Sequence, residues 1–308
     1  MAETIPNPPD PILFAIPFFV AFVVMEMVYG RITGRAKFEP RDSATSLIMG
    51  LGNTVFGGLL GAIAAGWALW VYQFRVFDLG FALWVWVFAF VADDFLYYWS
   101  HRMAHRVRWF WADHVVHHSS QHYNLTTALR QPWFSTLTFK FVIFATPLAL
   151  LGVHPVIVGF VSALNLIYQF WIHTEAINKT PGWFEAVMNT PSHHRVHHAT
   201  NPRYLDKNYA GVFIVWDRMF GTFVPEREDD PCRYGIVKNL GTFNPLRVSV
   251  HEFVGIARDV AGAKTWKDRL AFVFAPPGWS PDGSRDTSDI IKARWRAAES
   301  DADATPAE

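Results

Sequence analysis

Apolar and polar positions fall into long separate blocks. From Ile12 to Tyr29 the chain is almost wholly apolar, with Glu26 its only charge. That is long enough to cross roughly 30 Å of hydrocarbon as a helix. The preceding MAETIPNPPD has no Lys or Arg and so lacks the basic start of a cleaved leader; a retained transmembrane helix is expected. Ser43 to Phe74 has no charge at all, and its Gly57 and Gly61 have the spacing that allows close helix contact in lipid. A third apolar run, Leu79 to Ala92, continues through DDFLYYWSHRMAH, so its helix should leave the membrane carrying polar residues. Trp133 to Leu151 and Val153 to Ile172 follow, parted by the turn GVHP, as two spans or a re-entrant hairpin.

Beyond Ile172 the pattern suits water, with amphipathic helices expected near Val248 to Ala263 and Trp266 to Phe274. PPGWSPDGSRDTS reads as loop. The expected fold is an all-α integral membrane protein of about four to five transmembrane or re-entrant helices, capped by a histidine-rich di-metal layer. Its expected segments are N-terminal membrane helices over 1–92, a catalytic region over 93–225, a C-terminal extension over 226–295 and a disordered tail over 296–308.

Loop charges orient it. Arg31, Arg35, Lys37 and Arg41 follow the first span, Arg75 alone follows the second, and Arg102, Arg106, Arg108 and Arg130 lie after the third. The positive-inside rule then places the histidine clusters on the cytoplasmic side of a multi-pass protein. Lys+Arg and Asp+Glu both number 27, which leaves no basic face for nucleic acid. The single cysteine, Cys232, excludes an internal disulfide framework and a CxxC metal site.

Twelve of the thirteen histidines lie between His101 and His198. His101 and His105 are an i, i+4 pair, which a helix projects from one face. His114, His117 and His118 add i, i+3 and i+4 from a second element, and His194, His197 and His198 repeat that spacing. His173, where the chain leaves the last apolar run, completes a set of nine. Nine imidazoles exceed the needs of one ion and suit two, and their neutral nitrogens accept Fe, Zn, Cu or Ni. Asp94, seven residues before His101, could orient a ligand ring through its second nitrogen, and Asn208 and Asp217 are similar candidates. His154 is expected in the opposite turn and His122 and His251 at the surface; His193 adjoins the third cluster without fitting its spacing. No nucleotide-binding glycine motif, nucleophile elbow or HEXXH occurs.

The pattern HxxxH, HxxHH, HxxHH between apolar runs resembles the fatty acid hydroxylase superfamily, which includes sterol desaturases, over roughly Asp93 to Pro225. The stretches HHSSQHYNLTTALRQ, YQFWIHTE, TPSHHRVHH and DKNYAGVFIVWDRMFGTF are similar to its ether-lipid-cleaving members. The resemblance implies two iron ions on His101, His105, His114, His117, His118, His194, His197 and His198, with His173 a further ligand. It implies O2-dependent hydroxylation or desaturation of a lipid, and ether-lipid cleavage as one form of it. Electrons would come from a separate donor, tetrahydrobiopterin among the candidates, since no fused haem segment HPGG occurs. The sequence departs from the ether-lipid pattern at Arg106, where an acidic residue is expected. The alternative is a membrane zinc-binding protein that keeps the ligand set without oxygen chemistry.

Overall fold

The computed structural model describes residues 5–6 and 8–304, and among them every regular element is helical. Helix α1 is Pro11–Thr33, α2 Pro40–Tyr72, α3 Leu83–Arg106, α4 Arg108–His118 and α5 Leu125–Ala128. Short α6 (Lys140–Phe144) and α7 (Thr146–Leu151) precede α8 (Pro155–Trp171). Then come α9 (Gly182–Val187), α10 (Pro191–His198), α11 (Val215–Met219), α12 (Pro245–Gly262), α13 (Trp266–Phe274) and α14 (Ser288–Ala304). Proline stands at the start of α1, α2, α8, α10 and α12. It fits there because the first turn has no use for its missing N–H. Side chains of Asp10, Glu39, His154 and Asn244 cap four of these starts. His154 is thus a buried cap in the turn rather than a free loop residue.

Helices α1 and α2 are inside out by the standards of a water-soluble protein. Ala15, Val23 and Glu26 are the buried residues of α1, while Leu13, Phe14, Phe18, Val20, Val24 and Met25 are exposed. Both helices are long and apolar enough to cross a bilayer, and their large exposed apolar surface suits membrane association. The one buried acid of α1, Glu26, accepts from the backbone N–H of Leu125 (2.7 Å) and from the Thr174 hydroxyl. It pins α1 to the polar layer. Asp42 at the start of α2 accepts from Arg130 (2.7 Å), the Ser120 hydroxyl (2.7 Å) and the backbone of Gln121 and His122. His122, expected at the surface, lies half-buried against it.

Several expectations need correction. Gly57 and Gly61 face open space, so no helix is seated in that small-residue stripe. The run Trp133 to Leu151 is no single span: it breaks into a 3-10 turn (Ser135–Thr138), α6 and α7. Phe139 holds a left-handed conformation (φ 58°) that ends the turn, and Pro147 in the first turn of α7 ends α6 before it. These pieces fold back beside α3 and α8, where Val85, Ala89, Leu148, Val153, Ile157 and Val161 form a buried core. The boundary at 92/93 falls inside α3, which runs unbroken from the apolar core to His105. Most of the tail expected to be disordered is helical, because α14 extends through its alanine-rich 296–304 and is tied by Arg203 to Glu299 (3.0 Å). Residues 305–308 of that tail, like residues 1–4 and 7 of the N-terminal stretch, lie outside the described residues.

Candidate metal centre

The three histidine boxes lie on α3, α4 and α10, and His173 follows α8 by two residues. Helical spacing brings each box to one face, and packing brings the faces together. The nine imidazoles divide into two groups, His101, His105, His114, His118 and His197, and His117, His173, His194 and His198. Within each group the facing nitrogens lie within 4.8 Å of one another. The division follows the spacing. In each HxxHH box the i, i+4 pair enters one group, and the residue at i+3 enters the other. The groups touch where His118 stacks on His198, ring centroids 4.4 Å apart.

The hydrogen bonds fix which nitrogen faces inward. His101 Nδ1 donates to the Tyr209 carbonyl (2.7 Å), His197 Nδ1 to Lys207 (3.0 Å), His173 Nδ1 to Gln169 (2.7 Å) and His117 Nδ1 to Arg130 (3.3 Å). A carbonyl only accepts, so Nδ1 carries the proton in each and Nε2 presents a lone pair. Yet Nε2 of His173 lies 3.1 Å from that of His117 and 3.0 Å from that of His194. In the other group Nε2 of His114 lies 2.9 Å from His101 and 3.1 Å from His118. The facing Nε2 lone pairs of His117 and His173 suit a cation between them. A proton is the poorer choice. Burial holds the imidazoles of His114, His118, His194, His197 and His198 well below their usual range, and that of His117 down to about 4. A metal ion about 2 Å from each nitrogen fits such a cage.

The rings are held mainly by backbone. Asp206 and Asn208 both adopt left-handed φ of 54° on either side of Lys207, which shapes the loop that offers the Lys207 and Tyr209 carbonyls. Asn208 reaches no ring; its amide bonds the His193 and Val224 carbonyls and fixes that loop. Asp217 accepts from the backbone of Tyr209 and Ala210 (2.8 Å each) and from Thr222, one step behind His101. Asp94, expected beside a ligand ring, instead accepts from Val212, Phe213, Trp216 and Asn165. Its geometry joins α3 to α8 and to residues 212–216 around the start of α11, because the Val212 and Phe213 backbone and the Trp216 indole, not an imidazole, lie against its carboxylate. Gly211 lies so close to Asp94 and Asn165 that a Cβ there would stand 2.7–2.8 Å from their oxygens.

Sequence reasoning missed Asp206, whose carboxylate lies 3.4 Å from His105 Nδ1. It missed also the two buried arginines that brace the boxes. Arg195 on α10 bonds Glu226 and the Thr174, Ile177 and Asn178 carbonyls, and Arg130 bonds Asp42, Ser119 and Val116. Neither has a spacing signal, since their partners are chiefly backbone or far off in sequence. Arg106 pairs outward with Asp289 (2.6 Å) and Asp206 (3.3 Å). His193 is buried outside both groups with Nε2 toward Glu185, and His251 lines a neighbouring cavity.

Two cavities reach the imidazoles. One, of about 470 Å³, is lined by Ile12, Ile16 and Phe19 of α1, Leu47 and Leu51 of α2, and Phe170, and ends at His101, His114, His117 and His173. The other, of about 740 Å³, ends at His105, His118, His197 and His198 and carries Asp206, Lys238, Glu252, Arg285 and Asp286 in its walls.

Residues 86–222 match the fatty acid hydroxylase family, and that span holds all nine imidazoles. Over 286 residues, 92% of its length, it is 39% identical to alkylglycerol monooxygenase of Homo sapiens. Over 292 residues, 93% of its length, it is 38% identical to alkylglycerol monooxygenase of Danio rerio. The matches cover 63% and 64% of those relatives, so the chain spans just under two thirds of their length. It is 29% identical over 137 residues, 44% of this chain and 41% of the relative, to ornithine lipid hydroxylase OlsE of Rhizobium tropici. No solved structure matches the chain.

Proposed function

We propose that this chain is a multi-pass membrane monooxygenase that inserts one oxygen atom of O2 into a C–H bond of a lipid. The observation that carries the reading is the double cage of imidazoles at a cavity lined on one side by the apolar side chains of α1 and α2. The five-histidine and four-histidine groups would each hold one iron ion. Iron so bound would activate O2 and take hydrogen from an unactivated carbon, with the second oxygen leaving as water and a donor supplying two electrons. Hydroxylation is favoured over desaturation by the relatives, which are a monooxygenase and a lipid hydroxylase by name. Where the attacked carbon bears an ether oxygen, its hydroxylation product collapses to an aldehyde and an alcohol, and an alkylglycerol is the first substrate to try.

The chain's own residues supply position and dryness. The α1 and α2 side chains present an apolar mouth at bilayer depth, so a lipid enters without crossing water. The carbonyls of Tyr209, Lys207, Gln169 and Arg130 keep four rings in the tautomer that binds metal. The polar cavity suits a small water-soluble reductant such as tetrahydrobiopterin, or a protein donor, on the side we assign to the cytoplasm. The test is expression of wild type and His117→Ala under ¹⁸O2, followed by mass spectrometry of membrane lipids and metal analysis. Labelled lipid or aldehyde with wild type alone, together with iron, supports the reading. Zinc-only protein without labelled product refutes it.

A further inference from the structure

The cavity beside α1 and α2 has a mixed apolar and polar lining, in which Asp113 and Lys140 form the one pair of opposite charges. Lys140, the first residue of α6, directs its ammonium at Asp113 of α4, with Nζ 3.0 Å from Oδ1 and 2.9 Å from Oδ2. Both residues line the cavity beside His114 and His117. Asp113 is 1% exposed, and both of its carboxylate oxygens lie within 3.0 Å of the Lys140 ammonium. Lys140 has three donors and bonds no other group. A largely buried ion pair is a costly way to join α6 to α4, and apolar side chains of similar volume would serve that purpose as well or better. Such a station is explained by something that binds to it.

We propose that Lys140 and Asp113 seat the polar head of the lipid, and that they select a head that is uncharged and bears hydroxyl groups. A hydroxyl can donate to Asp113 Oδ2 and accept from Lys140 at once. A carboxylate or phosphate would meet the Asp113 charge at short range, and an ammonium would meet Lys140, with little water to screen either. The inference deepens the proposed function and rests on it. With the head beside His114, the tail runs outward past Phe19 and Leu51 toward the bilayer, so the attacked carbon lies near the head rather than far down the chain.

The experiment uses the iron-loaded full chain in nonionic detergent and three probes with one tail and different heads: 1-O-hexadecylglycerol, hexadecanoate and hexadecyltrimethylammonium. Equilibrium binding of each is measured, with iron content in parallel, for wild type, Lys140→Met, Asp113→Asn and the double variant. Wild type should bind the glycerol on the order of tenfold more tightly than either ion. Lys140→Met should move the preference toward the cation and Asp113→Asn toward the anion, each by a similar factor. The double variant should return to preferring the neutral head, more weakly. Equal binding of all three heads by wild type overturns the proposal. So does a uniform loss for all three in the single variants, with or without loss of iron, because a mere structural tie would act that way. Failure of the underlying reading shows itself differently: wild type then binds none of the three and yields no labelled lipid under ¹⁸O2.

Discussion

Nε2 of His117 faces Nε2 of His173 at 3.1 Å, and neither nitrogen bears a proton, because each ring spends its Nδ1–H on a carbonyl. A cation between its members would turn this contact from repulsive to attractive. His173→Ala should therefore reduce bound metal from two ions per chain toward one, by emission spectrometry of purified protein. Two ions retained in full would count against the four-histidine group as a site.

Metal removal should loosen the layer as well as silence it. Stripping the ions with a chelator leaves two sets of repelling lone pairs in a buried cluster. The thermal midpoint should fall, rise again when ferrous iron is restored, and depend on iron concentration as linkage requires. A midpoint indifferent to chelation would argue for a cluster held by packing alone.

Asp206 is the carboxylate that backs a ring, 3.4 Å from His105 Nδ1. Asp206→Ala should lower metal affinity by about 10–100-fold, the usual result of losing such a partner. The change should appear in competition with a calibrated chelator, with the helical circular dichroism unchanged.

Glu26 tests how α1 is attached. Glu26→Leu leaves the Leu125 N–H and the Thr174 hydroxyl without an acceptor in a buried place, at a cost of about 1–3 kcal/mol. Glu26→Gln keeps an acceptor and should lie between that variant and wild type. Thermal unfolding in detergent measures both, and equal midpoints for all three proteins would refute the anchoring role.

Asp94 offers a contrast with Asp206. Its four bonds join α3, α8 and residues 212–216 and touch no imidazole. Asp94→Ala should destabilise the protein by about 2–4 kcal/mol, since three donors besides Asn165 lose a buried charged acceptor. Metal bound by the surviving folded fraction at saturating iron should remain near two per chain.

The imidazole pattern was legible because helical spacing is written in side chains: His101 with His105, and each HxxHH box, can share a face in only one way. The division of each box between two groups was not legible, since it depends on how α4 and α10 cross. The partners of the rings were hidden for a different reason. Lys207, Tyr209 and Gln169 act through carbonyls, which every residue has, and no residue type announces that use. Asp94 misled because helical register alone set it beside His101, whereas the loop carrying Gly211 packs against it. Apolar length likewise identified α1, α2 and α8, but could not show that Phe139 turns left-handed and breaks the fourth run.

The two cavities have a joint consequence. They approach the imidazoles from different sides, one past Ile12, Phe19 and Leu51 and the other past Asp206, Lys238 and Glu252, and share none of their lining histidines. On the proposed function the histidine layer would stand as a partition between two supply routes, one for the lipid and one for a water-soluble reactant. Traffic on one side need not wait for the other. Under that proposal, an oily plug in the first mouth and a water-soluble plug in the second should inhibit independently, and a bound lipid could stay in place while a reductant comes and goes.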